Sequence, residues 1–304
     1  MKKLLVLILA LAMVVSTAAV SMAAVGIGGN LRVRFENTED DNYFSFDRLA
    51  LSIGGDLSAN NGFKSELQVR DVDKAFDLRL DHAYYYQKNL FTTDELHVGF
   101  LPIDWHADKS VTIKGSLAGE IKPGNSLGLK YGIKAGAYSI TAYAVNAANG
   151  NKGRDTNEIK AQTTGYDLGL RGTISPIDGL TLGLGVVQDV KDEDADNSDL
   201  DLVVDAVYSW RDLGLYAEYV SVEETLNGKA GESNSGFYLE GNYALTDKLS
   251  AYVGMTSAED LVGKDQDRIV AGAKYQIAPA TALQGEVVNC DDENNITLRL
   301  RVDF

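Results

Sequence analysis

From about residue 25 to its end the chain repeats one pattern: segments of roughly ten residues in which apolar and polar side chains alternate, broken by turn-forming residues. A period of two sends successive side chains to opposite faces of a strand, so each segment specifies one oily face and one wet face. Sixteen such segments can be read, the first at about 25–36 and the last at about 295–304. Beyond the first two dozen residues no apolar run approaches the about 20 residues that a membrane-spanning helix needs. Any crossing of a bilayer must therefore be made by strands.

The connections sort by length. Short ones fall at 59–62, 88–93, 135–136, 175–178, 211–212, 246–248 and 278–280. Polar ones fall between them at 37–42, 103–124, 147–162, 191–199, 223–233, 257–266 and 291–294, with 73–74 a short exception. A soluble sandwich also alternates, but it has no need of this long and short rhythm. A transmembrane barrel does, because its short turns lie on one side of the membrane and its long loops on the other. The expected fold is all-β: a transmembrane antiparallel β-barrel of 16 strands, with both termini on the turn side.

Residues 1–23 read as a signal peptide: Lys2 and Lys3, an apolar run from Leu4 to Val15, then a small-x-small site at Ser21-Met22-Ala23. The remainder, 24–304, is expected to form one barrel domain. Losing the two lysines leaves 26 basic residues against 44 acidic ones, a formal charge of −18 rather than −16. A chain this acidic repels polyanions, which excludes nucleic acid as a partner.

No catalytic or metal site is expected. Cys290 is the single cysteine, so there is no disulfide within the chain. His82, His97 and His106 are accompanied by neither a nucleophile elbow nor a Gly-rich phosphate loop. Asp192, Asp194 and Asp196 imitate the start of a calcium loop, but Asn197 replaces the glycine and Val203 the bidentate glutamate. They read as a solvated acidic loop, able to share divalent cations with lipopolysaccharide phosphates. Cofactors are therefore none.

Alternation predicts the lining of the bore. Arg32, Arg34, Arg48, Arg70, Arg79, Arg299 and Arg301 point inward, together with Lys64. A membrane barrel leaves no open edge in lipid, so its first and last strands are neighbours and these cations form one wall. Asp189, Asp201, Asp205, Glu218 and Glu240 point inward from the opposite side. Opposed charged walls set up a transverse field that orients polar solutes and disfavours apolar ones. The acidic excess argues for a weak cation preference or none. The rival expectation is a structural or adhesive barrel whose lumen is shut by its longest loop and by the inward Tyr216, Tyr238 and Tyr252. Barrels of sixteen strands normally leave a channel.

Three stretches carry a family likeness: Phe46 to Leu57 (FDRLALSIGGDL), Phe63 to Asp71 (FKSELQVRD) and His97 to Pro102 (HVGFLP). They resemble the early strands of general-diffusion and phosphate-selective porins of Gram-negative bacteria. That likeness implies an outer-membrane homotrimer passing ions and small hydrophilic solutes, in contact with outer-membrane lipid and lipopolysaccharide. It also implies that the third loop, 103–124, folds into the lumen. The constriction residues would then be Asp104, His106, Asp108, Lys109, Lys114, Glu120 and Lys122. The acidic third-loop signature of enterobacterial porins is absent. Phe304, ending the last alternating strand, resembles the C-terminal signature read by the barrel-assembly machinery.

Overall fold

Along much of the strand wall polar side chains are covered and apolar ones exposed, the inverse of a soluble domain. Thr297 is covered while Ile296 and Leu298 on either side of it are exposed; Glu218 is covered while Tyr219 is exposed. In the computed structural model the described residues are 25–38, 42–72, 75–113, 115–121, 125–146, 165–191, 200–224, 232–259, 266–290 and 293–304. The expected signal peptide and the Asp192 to Asn197 loop fall outside them.

All sixteen expected segments fall on strands: β1 (Val25–Asn37), β2 (Asn42–Ser58), β3 (Asn61–Val72), β4 (Ala75–Lys88), β5 (Asp94–Leu101), β6 (Ser126–Ala135), β7 (Tyr138–Asn146), β8 (Gly165–Ile177), β9 (Leu180–Lys191), β10 (Leu200–Trp210), β11 (Leu213–Glu224), β12 (Glu232–Ala244), β13 (Leu249–Glu259), β14 (Gln266–Ala278), β15 (Thr281–Cys290) and β16 (Glu293–Asp303). Each pairs antiparallel with its sequence neighbours, and β1 pairs with β16 to close the barrel. At the seam the register runs from Asn30 opposite Asp303 to Asn37 opposite Ile296. Phe304 completes it: its N–H donates to Gly29 O at 3.0 Å, and Gly29 N–H donates to Phe304 O at 2.8 Å.

Several strands run longer than alternation alone indicates. β8 was expected to end near residue 174 and continues to Ile177, with the β8–β9 register slipping between Ile174 and Ile177. Pro176 lies in that slip, where a residue without an N–H does least harm to the ladder. The next turn is Asp178-Gly179, and Gly179 takes φ +81°, a backbone conformation that suits glycine.

Exposed Leu215, Leu239, Ile269 and Leu298 belong to the apolar outer belt. Exposed aromatics mark its two borders: Tyr138, Trp210, Tyr243 and Tyr275 near the turn ends of their strands, and Phe44 and Tyr166 near the loop ends. Such paired girdles belong at membrane interfaces, where a ring rests between oil and water.

Candidate functional site: the bore and the loop inside it

β5 is the shortest strand, and the chain leaves it at Pro102 to run along the inside of the barrel, forming the short helix α1 (Leu117–Ile121) before β6. What draws this loop inward is an apolar patch on the inner wall. Val187, Val203, Val220 and Val222 occupy inward positions that a wetted lumen would fill with polar groups. Ile103, Trp105, Leu117 and Ala118 of the loop pack on them, each at most 2 % exposed. Covering one such leucine or isoleucine stabilises the packed loop by about 1.5 to 3 kcal/mol. The Trp105 indole N–H donates to Ala118 O at 3.3 Å, joining the two ends of the loop.

The loop's backbone is then fixed by acids from successive strands. Glu240 accepts from Val111 N–H at 3.0 Å, from Ser110 Oγ at 2.8 Å and from the Tyr238 hydroxyl at 2.6 Å. Glu218 accepts from Ala118 N–H at 2.7 Å and from the Tyr216 hydroxyl at 2.5 Å. Glu286 accepts from Ile113 N–H at 2.7 Å and from the Tyr252 hydroxyl at 3.1 Å. Asp205 acts through Arg171, which donates to Trp105 O at 2.8 Å. Lys130 adds an ion pair to Asp104 at 2.9 Å. A charged acceptor strengthens each of these bonds, and burial removes competing water.

Space for the loop is cut from the wall by glycines. A Cβ on Gly185 would lie 2.0 Å from Trp105 O, and one on Gly183 would lie 2.4 Å from Asp205 Oδ1.

On the other side of the bore the arginines gather across the seam. Arg32 stands opposite Arg48 on β2 and opposite Arg301 on β16, while Arg34 stands opposite Arg299. All five are partly exposed. Carboxylates border them: Arg34 Nε lies 2.5 Å from Glu36, Arg301 Nε 2.8 Å from Asp303 and Arg48 Nη1 3.9 Å from Glu66. Arg70 donates to Gln68 at 2.8 Å, and Arg79 is buried on β4. Below the loop a cavity of about 760 Å³ opens toward the turn rim, lined in part by Lys88, His97, Asp104, Lys130 and Arg171.

The structure thus gives the acids a different setting from the expected open wall. Asp201, Asp205, Glu218 and Glu240 share the inward face, but they are buried, and three of them are spent on the loop or on its arginine. Tyr216, Tyr238 and Tyr252 are buried too, each donating to a glutamate. Of the loop residues, Asp108 and Lys109 are exposed, Asp104 is paired and His106 is buried. Lys114 and Lys122, and the side chains of Asp189 and Glu120, lie outside the described residues. Sequence reasoning missed Arg171, Gln284 and Glu286. A signal was present in the inward Tyr-x-Glu pairs Tyr216/Glu218 and Tyr238/Glu240, repeated on neighbouring strands.

Known proteins agree with this geometry. The sequence model of the Gram-negative porin family matches residues 129–295. The chain belongs to the Gram-negative porin family. This porin's fold is similar to that of a loop-deletion mutant of OmpT, an outer membrane protein of Vibrio cholerae, at 17 % identity and TM-score 0.68, covering 92 % of this chain and 99 % of that one. It is likewise similar to a mutant of Rh. blastica porin, at 15 % identity and TM-score 0.66, covering 92 % and 100 %. A third similar structure is Salmonella typhi OmpF in complex with daunomycin, at 12 % identity and TM-score 0.68, covering 92 % and 97 %. No curated protein sequence matches. Family and closed barrel together point to the outer membrane.

Proposed function

We propose that this porin is a water-filled channel for passive diffusion of ions and small hydrophilic solutes, made with the signal peptide 1–23 and working as a homotrimer. A trimer form of Vibrio cholerae OmpT, similar in fold, supports the last point. One observation carries the reading: the inner loop is strapped to β6, β8, β11, β12 and β15, up to the edge of the arginine wall, while the arginines of β1, β2 and β16 stay partly exposed. A plug would need that loop to cover those arginines.

The constriction would then lie between the loop, with Asp104, Asp108 and Lys109, and the wall of Arg32, Arg34, Arg48, Arg70, Arg79, Arg299 and Arg301. Because the opposing carboxylates already serve the loop, the field near this wall is set chiefly by the arginines, and the acid-rich outer connections offset it at the mouth. We expect little net ion preference. Such a site passes solutes rather than transforming them.

The test is single-channel conductance of purified protein in a planar bilayer under a salt gradient. Current steps in groups of three support an open trimer. Silence from demonstrably folded protein sinks the channel and favours a closed, adhesive barrel.

A further inference from the structure

Gln284 stands where the loop-covered wall meets the arginine wall. It lies on β15 directly opposite Arg299 of β16 and is 5 % exposed. Its Oε1 accepts from Arg299 Nη2 at 2.6 Å. Its Nε2 donates to the Val111 carbonyl at 2.8 Å and to the Tyr252 hydroxyl at 2.7 Å. One amide therefore joins a lumenal cation to the backbone of the loop, using its acceptor and both of its donor hydrogens.

We propose that Gln284 is a positioning residue for ion discrimination: it fixes the Arg299 guanidinium at the edge of the loop, which sets the charge that a passing ion meets there. The inference rests on the channel reading above.

The chemistry of the neighbours shows why a neutral amide is needed. Glu286 lies two residues along β15 on the same face, already accepting from Ile113 N–H and Tyr252. Its Oε1 is buried and accepts no hydrogen bond. An Arg299 released from Gln284 has that carboxylate as its nearest strong acceptor on β15, and pairing there would cancel its charge toward the bore. A glutamate at 284 would cancel it directly while facing the Val111 carbonyl without a donor. Only an amide both donates to the loop and leaves the guanidinium positive. Arg34 and Arg301 then keep Arg299 as a neighbour in the cationic wall.

The experiment measures the K⁺/Cl⁻ permeability ratio from the reversal potential of wild type, Gln284→Met, Arg299→Gln and the double variant, each verified as folded. Cancelling one charge about 4 Å from the path in a water-like dielectric changes the ratio by about fivefold, the equivalent of about 1 kcal/mol. The expected result is a rise of that size in both single variants and no further rise in the double variant. An unchanged ratio in Gln284→Met overturns the inference, and so do two effects that multiply. A lowered unfolding temperature with an unaltered ratio marks a purely structural role and overturns it equally. Gln284→Glu keeps the shape of the side chain and serves if the methionine variant does not fold; the same rise is expected, and its absence is decisive. A conducting wild type with these negative results refutes this inference alone, whereas a silent wild type refutes the channel reading and this inference with it.

Discussion

Asp205 receives two nitrogens of Arg171, Nη1 at 2.7 Å and Nη2 at 3.0 Å, and its side chain is fully covered. The same Nη1 donates to Trp105 O, so one guanidinium neutralises the wall's most deeply buried acid and fastens the loop. Replacing Arg171 by methionine would leave that carboxylate without a partner, at a cost of about 3 to 5 kcal/mol. We expect a lower urea midpoint for unfolding and new protease cleavage near Trp105. The double variant Arg171→Met/Asp205→Leu is expected to recover most of the stability without restoring the loop contact.

Gly185→Val tests the placement of the loop. A Cβ there would meet Trp105 O at 2.0 Å and Val203 Cγ1 at 2.8 Å, and the wall cannot retreat without breaking ladder bonds. The loop must shift toward the arginines. Single-channel conductance is expected to fall while the folded barrel persists, and an unaltered conductance would place the loop elsewhere.

Glu240→Ala removes the acceptor for Val111 N–H, Ser110 Oγ and the Tyr238 hydroxyl. Hydrogen bonds to charged groups contribute about 1.5 to 3 kcal/mol each, and the freed donors need new partners. The apolar packing of Trp105 and Leu117 remains, so only the tip of the loop loosens. Open-channel current noise is expected to rise, and liposome swelling to admit larger sugars.

Arg32→Gln/Arg34→Gln probes the cationic wall. The pair faces Arg48, Arg301 and Arg299 across two strand boundaries. Its loss is expected to raise the K⁺/Cl⁻ permeability ratio at low salt. The effect should shrink toward 1 M salt, where the screening length falls to about 3 Å. A ratio unaffected at low salt would show that permeating ions do not pass this wall.

Strand number, pairing and the gathering of arginines at the seam were legible because each follows from local alternation plus the closure that lipid demands. Arg32 and Arg299 are far apart in sequence, yet their common wall needs only the rule that the first strand meets the last. The fate of the acids was not legible in that way. Glu218 and Glu240 were read as facing the bore, which they do, but their partners are backbone N–H groups of Ala118 and Val111. Every residue except proline carries such a group, so no side chain advertises it. The inward valines at 187, 203 and 220 were the other clue, since an apolar residue on the wet face implies something to cover it.

The straps that hold the loop also make the barrel mechanically lopsided. β8, β11, β12 and β15 are not all neighbours, yet each is bonded to one continuous segment of chain. Sliding or bending any of them against the others would strain that segment, so this part of the circumference behaves as a braced panel. From β1 to β3 the bonds run between strands of the wall itself, the Tyr86 hydroxyl of β4 reaching Asp56 of β2 among them, which makes this side the more compliant one. Lateral pressure from the bilayer would therefore be taken up on the arginine side, changing the width of the passage where the cations stand.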